Sequence, residues 1–125
     1  MLNNSTLVAF IATAKPLDSA RFYGLMLGFK PVEDTPFATV FQSGKNMLRV
    51  QKVQAVTPQP FTVLGWSVRN IVAEVDELTR KGVVFERFPG IPQDNTGVWS
   101  TPDGAKVAWF RDPDGNILSL TQPAR

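Results

Sequence analysis

The residues that could do chemistry in this sequence are few, because it contains neither His nor Cys. Thiolate nucleophiles, imidazole metal ligands and a proton carrier that titrates near neutral pH are therefore excluded. Any chemistry must rest on carboxylates, Arg, Lys, Tyr, Ser and the backbone. Two polar residues stand out on this ground, since Arg49 in NMLRVQ and Ser119 in NILSLT occupy corresponding places in two similar apolar strand patterns.

Secondary-structure patterns follow the same order in the two halves of the chain. A strand is predicted over 7–13, and a helix begins at Pro16 and ends at Gly28, where apolar residues recur at helical spacing. A second helix is predicted from the N-cap Asn70 to Gly82. The other predicted strands are 29–34, 36–42, 46–53, 61–68, 83–88, 105–111 and 116–122, and a long loop before the last two carries Trp99.

This order, strand–helix–strand–strand–strand twice over, indicates an internal duplication. We expect an α+β fold in a single domain, 1–125, because 125 residues is an ordinary size for one domain. Module one would cover 1–53 and module two 61–125. The linker between them would be 54–60, where two prolines interrupt any strand.

Side-chain alternation assigns the strand residues to two faces. Leu48 and Val50 are predicted to face the helices, which turns Met47 and Arg49 the other way. By the same alternation Leu118 and Leu120 face the helices and Ser119 faces away. The faces turned away from the helices mix apolar and polar residues, which favours a small-molecule cleft. A sheet partly open to water is the alternative.

Individual residues keep two interpretations each. Arg49 could clamp an anionic group, or it could form a structural ion pair with Glu33, with Glu86 or with a second copy of the chain. Ser119 could donate a hydrogen bond to a ligand, or it could be only a small polar residue. Trp99 in its polar loop could line a pocket or tuck into the core. Of the neighbours Trp109 and Phe110, which point to opposite sides of one strand, one should line the cleft.

Other classes of partner are disfavoured by charge and hydropathy. The formal net charge is only +2 and the basic residues are scattered, so we expect no binding to nucleic acid. The apolar run over 7–12 is too short to span a bilayer and lacks the features of a secretory signal, so we expect no membrane association. A cytoplasmic location is the expectation that follows.

The repeated layout and its motifs resemble the vicinal oxygen chelate superfamily, which includes glyoxalases, bleomycin-resistance proteins and extradiol dioxygenases. This resemblance implies two βαβββ modules whose sheets form an incompletely closed, eight-stranded, barrel-like surface around a cleft. It also implies a homodimer, since many relatives are dimers. The matching residues are Asp18, Phe22, Tyr23 and Leu27–Phe29 in the first half, and Trp66–Val68, Gly82, Val83 and Arg111–Asn116 in the second.

Metal-dependent members of that superfamily place a ligand on the first and last strands of each module. The resemblance puts these positions at Val8, Arg49, Val63 and Ser119. Val cannot bind a metal, Arg is itself a cation, and a lone Ser hydroxyl is a poor ligand. We therefore expect no metal and no cofactor.

The sequence as a whole predicts a metal-free protein that binds an apolar or aromatic small molecule, with or without an anionic group. A glyoxalase-like lyase or isomerase, with no metal or with one held by carboxylates such as Glu33 and Glu86, is the first alternative. An interaction module whose cleft is filled by its own side chains is the second. The predicted ligand-binding residues are Val8, Phe10, Met47, Arg49, Val63, Trp99, Trp109 and Ser119.

Overall fold

A computed structural model describes all 125 residues, which divide into two compact units, Met1–Thr57 and Pro58–Arg125. Each unit contains one four-stranded mixed sheet and one main helical segment. The predicted α+β class with two βαβββ modules is confirmed, and the eight strands form two separate sheets with no closed barrel. None of the helices combines the length and the apolar character that crossing a membrane requires.

The first unit builds its sheet in the order β1-β4-β3-β2, with β1 parallel to β4 and the other pairs antiparallel. A short 3-10 helix, Leu2–Asn4, precedes the sheet. The helix α1 continues directly into a π-helix at Phe22–Met26. The elements are β1 Val8–Thr13, α1 Pro16–Arg21, β2 Lys30–Asp34, β3 Ala38–Ser43 and β4 Asn46–Lys52.

The helical segment of this unit ends where the sequence predicts. Gly28 has a φ of 81°, a left-handed conformation that favours glycine at a helix end. Tyr23 is completely buried, and its ring contacts those of Phe22 and Phe41 at centroid distances of 5.1 and 6.1 Å. Leu48 on β4 is buried as well. The side chains predicted to face the helix therefore form the core of the first unit.

The second unit repeats the arrangement in the order β5-β8-β7-β6, with β5 parallel to β8. Asn70 caps the helix, because its side-chain oxygen accepts a hydrogen bond from the Ala73 N–H at 3.1 Å. Gly82 follows the helix with a φ of 98°. The elements are β5 Thr62–Ser67, α2 Ile71–Arg80, β6 Trp99–Ser100, β7 Lys106–Arg111 and β8 Ile117–Gln122.

The hairpin between β7 and β8 is held by a buried carboxylate. Asp112, only 5% exposed, accepts hydrogen bonds from the backbone N–H groups of Asp114 and Asn116, both at 3.0 Å. The Asn116 amide donates to its other oxygen at 2.9 Å. Gly115 adopts a φ of 87°, as this turn requires. These residues build the turn, as the sequence predicts.

The predicted strand over 83–88 is wrong, and the short strand β6 lies instead in the predicted loop. Only Phe85 forms a bridge to β7, opposite Phe110, while Trp99 pairs with Val107 farther along the same edge. Between Phe85 and Trp99, hydrogen bonds from the Gln93 side chain replace those of a regular strand ladder. Its amide donates to the carbonyls of Glu86 and Gly97, both at 2.8 Å, and its oxygen accepts from the Phe88 N–H at 2.9 Å.

Asp94 accepts hydrogen bonds across the same loop. These bonds make the stability of the folded protein depend on pH. Its carboxylate accepts from the Thr96 hydroxyl at 2.7 Å and from the N–H groups of Thr96 and Val98 at 2.8 and 3.0 Å. The Thr96 hydroxyl, followed by these backbone donors, holds the pKa of Asp94 below its ordinary value. A lowered pKa means that the carboxylate stabilises the folded state above the unfolded-state pKa, and that this stabilisation is lost as the pH falls through the folded-state value.

We therefore predict that Asp94→Asn is less stable than wild type at pH 6 and that the difference shrinks as the pH is lowered towards 2. Urea denaturation at several pH values gives the two free energies of unfolding. Because the Asp94 side chain lies at the surface, the effect should be small. A difference between the two proteins that stays constant over this pH range would contradict the assigned hydrogen bonds.

Candidate functional site

The outer face of the second sheet, by which we mean the face turned away from α2, is centred on Ser119. Leu118 and Leu120 on β8 are buried, so the pleat turns Ser119 to the opposite side. The register places Ser119 between Gly65 on β5 and Trp109 on β7. We call this surface the Ser119 face; it comprises Val63, Gly65, Trp99, Val107, Trp109, Ser119 and Thr121.

Three aromatic rings meet on the Ser119 face. The Trp99 and Trp109 rings are stacked, with centroids 6.1 Å apart and an interplanar angle of 21°. Phe88 meets Trp109 edge-on, at 5.4 Å and 87°. All three side chains are half-buried, so part of each ring remains accessible. The structure thus brings together two residues predicted from the sequence and adds Phe88, which the wrongly predicted strand over 83–88 concealed.

The sheet surface beside these rings has its present form because residue 65 is a glycine. A Cβ atom at Gly65 would lie 2.6 Å from the Ser119 Oγ, so any side chain there would force the Ser119 hydroxyl out of its present position. The Ser119 hydroxyl makes no hydrogen bond within the chain, and the residue is only half-buried. Val63 lies next to Gly65, where the β5–β8 register shifts at a bulge. The face therefore offers an unpaired hydroxyl next to stacked indoles.

The first sheet has a corresponding outer face, formed by Val8, Phe10, Met47 and Arg49. The register pairs Val8 with Met47 and Phe10 with Arg49. On its other side Arg49 is paired with Val40 of β3. Phe10 is 55% exposed and Val8 is 43% exposed. We call this surface the Arg49 face; it is mainly apolar and carries one cation.

The Arg49 guanidinium has no ion pair and no hydrogen bond within the chain. The four ion pairs of the structure involve other basic residues. Glu86, one of the predicted partners, is paired with Arg111 at 3.0 Å instead. Arg49 therefore forms no ion pair with Glu33 of its own unit, and an ion pair with a second copy of the chain stays a prediction. A half-buried cation with apolar neighbours and no counter-charge has an unfavourable environment, which an external anion would improve.

The four positions that the resemblance assigns to metal ligands do not fit a divalent metal. Val8 and Val63 have no donor atoms, and Arg49 is a cation in a face of apolar side chains. Only Ser119 has a donor atom, a single neutral hydroxyl. Nowhere in the chain are three His, Cys, Asp or Glu residues grouped so that they could hold a metal ion. We therefore derive no step that involves a metal.

Each of the two βαβββ units has an outer sheet face that carries two of the four positions assigned to metal ligands, which we call the family positions. This arrangement defines an α+β protein of the glyoxalase fold. The chain belongs to the Glyoxalase/Bleomycin resistance protein/Dioxygenase superfamily, whose model matches residues 7–120. The resemblance identified from the sequence motifs is therefore confirmed. No curated protein matches the sequence.

Solved structures superpose on nearly the whole chain. A superfamily member from Sphaerobacter thermophilus DSM 20745 has a TM-score of 0.76 at 22% identity, covering 98% of this chain and 100% of its own. TnmS3, an antibiotic binding protein from Streptomyces sp. CB03234, has a TM-score of 0.72 at 19% identity, covering 98% of both chains. A lactoylglutathione lyase from Agrobacterium tumefaciens has 0.67 at 19%, covering 95% and 93%. At these identities the likeness establishes the fold alone.

We predict that Arg49→Met leaves the free energy of unfolding unchanged or raises it, because the substitution removes a charge that has no partner in the chain. Lys52→Met on the same strand is the matched control. Lys52 is paired with Asp34 at 2.7 Å and donates to the Thr35 carbonyl at 2.7 Å, so its loss should cost about 1 kcal/mol. Urea denaturation compares the two variants. A loss in Arg49→Met as large as that in Lys52→Met would mean that Arg49 has a structural role.

Proposed function

We propose that this chain is a small-molecule-binding protein whose ligand lies against the Ser119 face and is held without a metal ion. The observation that carries the proposal is the group of half-buried rings of Phe88, Trp99 and Trp109 beside the unpaired Ser119 hydroxyl. A planar apolar molecule that covers these rings gains the free energy of removing apolar surface from water, at about 25 cal/mol per Å². Stacking on the indole rings adds to this and orients the ligand.

The proposed ligand-binding residues include those of both outer faces. On the Ser119 face, Val63 and the two tryptophans supply apolar contact, and Ser119 donates a hydrogen bond to an oxygen or nitrogen acceptor. On the Arg49 face, Val8, Phe10 and Met47 supply apolar contact. Arg49 holds an anionic group there, because a guanidinium binds a carboxylate or sulfonate with two hydrogen bonds.

Binding, rather than metal-assisted catalysis, is the activity that the residue types support best. The family positions provide one hydroxyl and no carboxylate, imidazole or thiolate, and a lone Ser without an adjacent base is a weak nucleophile. A glyoxalase-like lyase or isomerase would need both an electrophile and a base at these positions. One structural neighbour is described as an antibiotic binding protein, so a binding role occurs on this fold.

We predict that Trp109→Leu weakens the binding of phenylnaphthylamine, a neutral aromatic probe, about tenfold, because the stacking surface is lost. Probe fluorescence measures the dissociation constant. Trp66→Phe is the matched control: Trp66 is paired with Leu120 on the other face of the sheet and stacks on Phe110 at 6.4 Å. It should leave the dissociation constant within about twofold of wild type.

Further measurements test whether Arg49 binds an anionic group and whether binding requires a metal ion. Anilinonaphthalene sulfonate is an anionic aromatic probe for the Arg49 face, and its affinity should fall in Arg49→Met because the sulfonate loses its charged partner. Dialysis against EDTA should change neither affinity. A tightly bound, stoichiometric transition metal in the purified protein, or binding that requires added Zn²⁺ or Mn²⁺, would overturn the metal-free proposal.

We also propose that the protein is a homodimer. Several large apolar side chains are more than two-thirds exposed in the single chain, among them Leu7, Leu17, Leu25 and Phe37. A partner that covered these side chains would remove their apolar surface from water, which favours association. Sedimentation equilibrium should give a mass of twice 13.8 kDa. A mass of 13.8 kDa at micromolar concentration would refute the dimer.

A further inference from the structure

A groove with a volume of about 730 Å³ lies in the second unit between α2 and the segment 83–87. This volume is in the range of small-molecule sites. Val72 and Val84 line the groove and are 61% and 75% exposed, and Phe85 forms part of its wall. We call it the α2 groove. None of its lining residues belongs to the Ser119 face.

The sheet separates the α2 groove from the Ser119 face. The Gln122 side chain accepts a hydrogen bond from the Ile71 N–H at 2.9 Å, which places α2 on the side of the sheet to which Gln122 points. By strand alternation this is the side of Leu118 and Leu120, and it is opposite Ser119. A molecule in the groove would therefore occupy a site distinct from the one proposed above.

The topology places Arg87 at the amino end of the groove. β5 is parallel to β8, β8 is antiparallel to β7, and Phe85 is bridged antiparallel to Phe110 of β7. The segment 83–87 therefore runs parallel to β5. Because α2 connects these two parallel segments, it must run in the opposite direction to both. Arg87 thus lies near the start of α2, and Val84 lies nearer its end.

Arg87 is the one uncompensated charge that lines the groove. The only other charged lining residue, Asp76, is paired with Arg80 at 3.0 Å. The only contact of the Arg87 guanidinium is a long one, 3.5 Å to the Gln93 carbonyl. The helix N–H groups of Ile71 and Ala73 already have side-chain acceptors and are not available to an anion. Arg87 is therefore the only cationic side chain that could hold an anion in the groove.

We propose that the α2 groove is a second binding site, which takes an amphipathic monocarboxylate. The carboxylate binds the Arg87 guanidinium through charge-assisted hydrogen bonds. The hydrocarbon chain lies along Val72, Val84 and Phe85 and covers surface that is otherwise exposed to water. An amphipathic cation is disfavoured, because Arg87 would repel it and Asp76 is already neutralised.

The test uses octanoate as the probe and octanol as its uncharged counterpart, with ¹⁵N NMR of the full chain. Octanoate should shift the backbone amide signals of Val72, Val84 and Arg87 saturably. It should leave the indole N–H signals of Trp99 and Trp109 unchanged.

Charge recognition is tested by substitution. Arg87→Gln should raise the dissociation constant for octanoate about tenfold and that for octanol less than about twofold, because only octanoate loses a charged partner. Arg69→Gln is the matched control, since Arg69 is an exposed cation just before α2 that does not line the groove. It should leave both constants unchanged.

Three results would overturn the proposal: no saturable shift with octanoate, shifts that centre on Trp99 and Trp109, or an Arg87→Gln variant that binds octanoate as wild type does. The second result would move octanoate to the Ser119 face and so support the function proposed there. Phenylnaphthylamine binding by Trp109→Leu as tight as by wild type would refute the Ser119-face proposal and leave the octanoate result unaffected, so the two proposals can fail independently.

Discussion

The pleat of β8 is the constraint on which the second unit depends. Leu118 and Leu120 are buried, so the backbone must turn Ser119 to the opposite face, in register with Gly65 and Trp109. A register slip of one residue would bury the hydroxyl without a partner and expose two leucines, and both changes are unfavourable. The hydrophobic core and the candidate site are therefore specified by the same alternation. Gly65 completes the arrangement, because a Cβ atom at this position would collide with the Ser119 Oγ in its present rotamer.

The aromatic cluster depends on a loop that side chains hold together. Pro89, Gly90 and Pro92 interrupt the chain where a continuous edge strand would otherwise run, since proline cannot donate to a strand ladder. Gln93 and Asp94 supply the missing hydrogen bonds to the backbone on either side. The loop can therefore return to the edge of β7 and set Trp99 against Trp109. A regular strand would have placed no second indole there.

Most of the fold could be predicted from the sequence, because its signals are local. The N-cap Asn70, the glycine that ends each helix and the turn at Asp112–Asn116 are all recognisable over a few residues, and all are found as predicted. The irregular segment 83–88 and the short strand β6 were not predicted. They depend on hydrogen bonds from Gln93 to residues up to seven positions away, which no local pattern reveals. The absence of a partner for Arg49 also required the structure, since the sequence contains acids that could have paired with it.

The four positions that the resemblance assigns to metal ligands, Val8, Arg49, Val63 and Ser119, lack part of what a metal centre would supply. A divalent metal supplies two things, a positive charge that attracts anionic oxygen and a vacant coordination position that polarises it. Arg49 supplies only the first, through hydrogen bonds of fixed geometry. Two valines and a serine at the other positions add apolar contact and one hydroxyl. None of these side chains can lower the pKa of a bound water or of a substrate proton as a metal does, which is the physical reason for proposing binding without a metal.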